Sequence, residues 1–183
     1  LKAKEWCELA IKTNDSMEGK SNAATLLKEI LKQGINLNIE KVNVTGEPFR
    51  TLVSYKNFTN GYFRLVKMDN NIKQAITQES WQDSLWKKLV TLPSVKEYQF
   101  NFPDTKDHQQ HRAEIKINAL PVGEYALLGG TEKDLPLNSG ALAVSFFYVS
   151  DIAFIHEDNK YFILNRKTGA PLQASGVQVW MQE

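Results

Sequence analysis

Two histidines and two aspartates crowd one polar stretch, Asp104-Thr105-Lys106-Asp107-His108-Gln109-Gln110-His111-Arg112. Two imidazoles with a nearby carboxylate are a familiar set of metal ligands. His108 and His111 would share a face of a helix at this spacing, but the segment separates two apolar alternating runs and lacks the Glu of a zinc-protease helix. The reading is a solvated loop, with no metal site. His156 beside Glu157 and Asp158 reads as a turn. The single cysteine, Cys7, excludes an internal disulfide framework and a multi-cysteine metal site. No Gly-x-Ser-x-Gly elbow and no phosphate-cradling glycine loop occurs, and Gly129-Gly130 after an apolar run reads as a bend or bulge. No nucleophile has a base placed beside it, so the chain is expected to be non-enzymatic, with no catalytic residue and no cofactor.

Aromatic residues offer a different chemistry. Trp81 and Trp86 with Tyr62, Phe63 and Phe100 could form a sugar-stacking platform, although they fall on the inward phase of strands or on the apolar stripe of a helix, where core packing is expected. Three Asn-x-Ser/Thr sequons, at Asn14, Asn43 and Asn57, matter only in a eukaryotic secretory setting. The chain has 183 residues, 42% hydrophobic and 23% charged, as a folded protein does. Its 22 basic and 21 acidic side chains give a net charge of +1, leaving no field to gather nucleic acid or an anionic membrane surface. No apolar run approaches the roughly 20 residues of a spanning helix. The opening on Leu1, without initiator Met or signal peptide, reads as a piece of something longer.

The elements that carry these residues change period along the chain. Ala3, Trp6, Cys7 and Ala10 recur at helical spacing, the polar run from Thr13 to Lys20 interrupts them, and Ala23, Leu26, Leu27, Ile30 and Leu31 restart the pattern after a Ser21 cap. Gly34 then stops the second helix. From Ile35 the period is two, slipping phase at Val42 and Val44 as a bulge near Lys41 would produce. Phe49–Lys56 and Tyr62–Met68 flank Asn57-Phe58-Thr59-Asn60-Gly61, whose Asn-Gly suits a hairpin turn. Helical spacing returns between Ile72 and Leu92 until Pro93. Alternation resumes at Tyr98–Phe102, Ile115–Ile117, Tyr125–Leu128 and Leu142–Tyr148, with shorter runs at Asp151–Ile155, Tyr161–Arg166 and Val177–Trp180.

Leu120-Pro121-Val122-Gly123-Glu124-Tyr125 joins two of these runs through a turn and sets a tyrosine at the start of the next strand. Immunoglobulin-type sandwiches carry such a tyrosine corner, in which the hydroxyl bonds backbone a few residues upstream. Pro121, Gly123 and Tyr125 are the structural residues this reading singles out. It predicts a mainly β chain, an immunoglobulin or fibronectin-III-like sandwich with one inserted helix. Residues 1–34 form a helical extension, 35–149 the sandwich, and 150–183 the opening strands of a following one.

In order, Lys12-Thr13-Asn14-Asp15-Ser16, Ala24-Thr25-Leu26-Leu27, Leu37-Asn38-Ile39-Glu40-Lys41-Val42, Leu52-Val53-Ser54-Tyr55-Lys56-Asn57 and Tyr62-Phe63-Arg64 resemble the N-terminal part of bacterial alpha-2-macroglobulin-like proteins, especially those of the Bacteroidetes. The segments Leu120–Leu128, Val149-Ser150-Asp151-Ile152-Ala153 and Asn165-Arg166-Lys167-Thr168-Gly169-Ala170-Pro171-Leu172, with Val177-Gln178-Val179, look like one macroglobulin domain ending and the next beginning. The resemblance implies an array of macroglobulin sandwiches in a bacterial envelope or periplasmic protein, often a lipoprotein, that traps or inhibits proteases. Its implied partners are neighbouring macroglobulin domains of the same chain and a target protease, with no nucleic acid and no membrane insertion. The family's Cys-Gly-Glu-Gln thioester is missing here, since Cys7 stands in Glu5-Trp6-Cys7-Glu8-Leu9. An extracellular carbohydrate- or protein-binding sandwich of an adhesin or glycan-uptake system is the other reading, because Thr168-Gly169-Ala170-Pro171-Leu172 also resembles a turn of carboxypeptidase-regulatory-like modules.

Overall fold

Alternating strands with one apolar face must bury that face against a second layer, and the computed structural model shows two sheets doing so. It describes residues 2–13, 16–77, 82–158, 160–173 and 176. Two helices come first, α1 (Lys2–Thr13) and α2 (Met17–Leu31), and they pack on one another. Ser16, not Ser21, caps α2: its Oγ accepts from Gly19 N at 3.3 Å. The helical pattern therefore restarts a turn earlier than the apolar residues alone suggest.

The strands are β1 (Gly34–Ile39), β2 (Val42–Asn43), β3 (Phe49–Lys56), β4 (Asn60–Met68), β5 (Ser94–Asn101), β6 (His111–Ile117), β7 (Gly123–Gly130) and β8 (Leu142–Val149). One sheet has the order β1-β3-β6 and the other β2-β8-β7-β4-β5. Between them lies an aromatic-rich core that includes Val53, Tyr55, Phe63, Leu65, Phe102, Ile117, Tyr125, Leu127 and Phe147. The phase slip after Ile39 is a change of sheet and not a bulge. β1 pairs antiparallel with β3, whereas Val42 and Asn43 pair parallel with Tyr148 and Val149 of β8. Strands that cross from one sheet to the other at a bend make the corners of such sandwiches.

Between β4 and β5 the chain forms two helices, α3 (Asn70–Thr77) and α4 (Gln82–Thr91), where the spacing predicts one. Trp86 and Leu89 of α4, with Leu135 from the 131–141 segment, cover the outer face of the five-stranded sheet over Val66, Met68, Ala126 and Leu128. The five-stranded sheet is thus packed on both sides. This explains the unbroken apolar run of β7, since a strand buried on both faces loses the two-residue alternation.

Gly129 and Gly130 belong to that run. Pairing continues without a shift through both, Gly129 with Phe63 and Ala143, Gly130 with Tyr62 and Leu142, so neither a bend nor a bulge sits here. A Cβ at Gly129 would meet the Phe63 ring at 3.0 Å, and one at Gly130 would meet Leu135 at 2.7 Å. The glycines admit large neighbours from the two faces. The irregularity lies instead in β5, where Lys96 pairs with Leu65 and Ser94 with Val66, leaving Val95 as the extra residue.

After β8 the chain forms a hairpin of β9 (Ile152–Glu157) and β10 (Lys160–Asn165). The last predicted strand, Val177–Trp180, lies outside the described residues. Among the described residues no helix is long and apolar enough to cross a membrane.

Candidate functional site

One end of the sandwich is polar and hollow. A cavity of about 740 Å³ lies between the end of α2, the β3–β4 turn and the 103–110 segment, lined by Gln33, Tyr55, Asn57, Thr105, His108 and His111 among others. His108 lies in the loop the sequence predicts, whereas His111 opens β6 and pairs with Tyr55 of β3; what organises the two is not legible in the local sequence.

That organiser is Asn57. The end of a helix leaves its last carbonyls without intrahelical donors. Gly34 does not resolve this for α2, because Lys32 is extended and Gly34 already belongs to β1. Instead Asn57 Nδ2 donates to Ile30 O at 2.7 Å and Lys32 O at 2.9 Å, and Lys56 Nζ donates to Glu29 O at 3.0 Å. The turn that joins β3 and β4 is the cap of α2. Asn57 takes φ 59°, a left-handed conformation that Asn tolerates better than most residues. Gly61, from the Asn-Gly expected to turn the hairpin, lies inside β4, where a Cβ would meet Phe102 at 2.7 Å.

The carboxamide oxygen of Asn57 faces His108 Nδ1 at 2.8 Å. Since Nδ2 is the donating end, Oδ1 accepts, and the proton sits on His108 Nδ1. His111 is held separately: its Nε2 lies 2.9 and 3.1 Å from the Asp107 oxygens and 3.0 Å from Thr105 Oγ. Asp107 Oδ1 also accepts from Thr105 Oγ at 2.9 Å and from the backbone N–H of Gln109 at 3.0 Å. The His111 bond, followed by those from Gln109 and Thr105, holds the Asp107 carboxyl well below the ordinary carboxylate range. Each histidine thus has its own partner, and among the described residues no three His, Cys, Asp or Glu side chains converge as metal ligands do.

A carboxyl whose folded pKa lies below its unfolded one contributes stability that is complete above the unfolded pKa and is lost as pH falls through the folded value. His111→Gln is expected to move the Asp107 titration upward toward the ordinary carboxylate value. Carboxyl-carbon NMR in an acid titration measures this, and an unmoved midpoint would deny His111 the leading role.

The opposite end of β4 carries the corner. Tyr125 is 1% exposed and its Oη donates to Pro121 O at 3.0 Å, across the passage from β6 in one sheet to β7 in the other. Gly123 makes room for it, since a Cβ there would come 3.2 Å from the Tyr125 ring. Burial pushes the phenol pKa up, keeping the hydroxyl a donor. Tyr125→Phe is expected to cost on the order of 1 kcal/mol, as one net hydrogen bond would; denaturant unfolding reads it.

The aromatic platform is not formed. Trp86 is 7% exposed, with Nε1 donating to Leu135 O at 2.9 Å, and Phe63 is 2% exposed; Trp81 lies outside the described residues. Glycan chains at two of the sequons would disrupt packing, since Asn43 is buried with its amide on Glu40 O and the Asn57 amide caps α2.

Comparison with protein-family models and with curated proteins finds no match. Solved structures do show likeness. A fragment of native alpha-2-macroglobulin from Escherichia coli spanning domains MG0-NIE-MG1 is 14% identical at TM-score 0.50, over 77% of this chain and 48% of that one. A second fragment of the same protein, spanning NIE-MG1, is 13% identical at TM-score 0.47, over 78% of this chain and 74% of that one. This chain therefore spans about half the length of the first fragment and three quarters of the second. With strands in two facing sheets and a tyrosine at the corner between them, the chain has a mainly β sandwich fold similar to that of alpha-2-macroglobulin domains.

Proposed function

We propose that the chain is a non-catalytic structural module in a row of macroglobulin-like sandwiches, with residues 1–34 a helical extension, 35–149 one sandwich and 150–183 the start of the next. The observation that carries this is the β9–β10 hairpin. Ile152, Phe154, Ile155 and Phe162 are 54%, 64%, 58% and 49% exposed, and two strands alone are at best marginally stable in water. Such a hairpin needs further strands or a second sheet to cover it.

Its base is nonetheless tied to the sandwich. Thr45 N donates to Asp151 Oδ1 at 3.1 Å and Thr45 Oγ donates to the other oxygen, Ser150 N donates to Asn43 O at 2.9 Å, and Lys167 pairs with Glu47. A polar hinge at the base and an apolar blade beyond it suit the junction between two units of an array. Protease trapping or inhibition, the Bacteroidetes-type membership and the envelope or periplasmic setting come from the sequence resemblance and belong to this proposal. So do the partners: neighbouring macroglobulin domains and a target protease.

Phe154→Asp tests the uncovered hairpin. It is expected to leave the unfolding free energy within about 0.5 kcal/mol of the parent, as substitutions away from a packed core do, while lowering binding of a hydrophobic dye. A loss of several kcal/mol would show Phe154 already packed and remove the reason for a following unit.

A further inference from the structure

β5 is the last strand of its sheet. Phe102 N donates to Thr59 O at 2.6 Å, on the β4 side. In an antiparallel ladder each residue turns its N–H and C=O to the same side and neighbours alternate. Phe100, Tyr98 and Lys96 therefore spend their main-chain groups on β4, whereas Glu97, Gln99 and Asn101 turn theirs outward. Among the described residues no strand takes them. Proline, which blunts many edge strands, is absent between Ser94 and Asn101.

The side chains state what would fit. Tyr98 and Phe100 point toward the inter-sheet core and stack with centroids 6.0 Å apart, while Glu97 and Gln99 lie on the opposite face beside Arg64 and Tyr62. A complementary strand must alternate aromatic inward and polar outward, which is the pattern of β5 itself. Antiparallel pairing of two copies about Gln99 sets Tyr98 against Phe100, Lys96 against Phe102 and Glu97 against Asn101. No like charges oppose one another. The two Glu97 side chains are then about 13 Å apart along the strand. This register also uses all three outward residues, three pairs of two bonds or about six in all. Moving the centre to Tyr98 runs the pairing into the bulged Val95, and moving it to Phe100 runs it into Pro103, which has no N–H.

We propose that the exposed edge of β5 pairs antiparallel with β5 of a second copy of this chain about Gln99, joining the two five-stranded sheets into one. The proposal stands apart from the array reading, which concerns the hairpin end.

Gln99→Pro tests it cleanly, because the lost N–H faces solvent and the β4 ladder keeps all its bonds. Sedimentation equilibrium of the full chain at rising concentration is expected to show a dimer. Gln99→Pro, with circular dichroism and thermal midpoint unchanged, is expected to weaken that dimer about tenfold or more. A parent chain that stays monomeric overturns the proposal, as does a dimer that Gln99→Pro leaves intact. If Gln99→Pro does not fold, Gln99→Cys decides instead: Cys7 is buried, and the facing Cα atoms of a hydrogen-bonded pair, about 5.5 Å apart, suit a disulfide. Rapid oxidation to a covalent dimer supports the edge pairing, and failure to cross-link overturns it.

Discussion

Trp86→Ala is expected to cost about 3 to 5 kcal/mol, the range for removing a large aromatic from a closed core. The indole sits under 131–141 and over the outer face of the five-stranded sheet, against a cluster with Leu89, Leu128 and Leu135. Its Nε1 is also the donor to Leu135 O, and Leu135 is held at φ 51°. Truncation opens a cavity and orphans a buried carbonyl at the same time. Against a total stability of order 5 to 15 kcal/mol, this single change brings the chain near its unfolding threshold. Trp86→Phe separates the two contributions, since it keeps most of the ring and loses the hydrogen bond, and should cost about 1 to 3 kcal/mol less than the alanine. Denaturant unfolding of both variants measures the difference. A change below about 1 kcal/mol for Trp86→Ala would mean that the ring is open to solvent, and would return it to the set of candidate binding residues.

Asn57→Ala should have the next largest effect, of about 2 to 4 kcal/mol, from two donated bonds to helix carbonyls, one accepted from His108 and the strain of a left-handed alanine. Its effect should be local. α2 has no buried residue and α1 buries only Cys7, so the helices lean on the Asn57 and Lys56 cap for their attachment to the β3–β4 turn. Hydrogen exchange is expected to show α1 and α2 losing protection while β3, β4 and β7 keep theirs. Asn57→Gly relieves the backbone strain and isolates the side-chain contribution; a glycine variant as stable as the parent would show that the carboxamide holds nothing.

Much of the sandwich was legible because one-sided burial writes a period of two. β3 and β6 follow their alternation, whereas β8 turns Phe147 and Val149 into the inter-sheet core and leaves Phe146 and Tyr148 of the apparent apolar run exposed on the other face; the turn before Tyr125 announces the corner whose hydroxyl reaches Pro121 O. What the period concealed has physical causes. A strand that changes sheets after Ile39 looks like a bulge, because both shift the apolar phase by one. Paired glycines inside β7 look like a bend, because sequence shows their missing side chains but not the Phe63 ring and Leu135 that fill the space. The cap of α2 was hidden for another reason: its residues lie 25 to 27 positions away in the chain, beyond the reach of local pattern. His108 and His111 were visible as a pair, but their division between Asn57 and Asp107 depends on which strands the loop joins. The helical spacing of Trp86 points to core, but its hydrogen bond to Leu135 O, across 49 residues, comes only from the fold.

In the proposed array, residues 35–149 form one sandwich and β9 and β10 belong to the next. Native-state hydrogen exchange across the whole chain tests it most directly, since protection measures the free energy of opening each segment. The β7 amides are expected to exchange only through global unfolding, and the β9–β10 amides orders of magnitude faster, through local opening of a hairpin that no second layer covers among the described residues. Protection of β9 and β10 equal to that of β7 would contradict it, placing the hairpin within the sandwich itself.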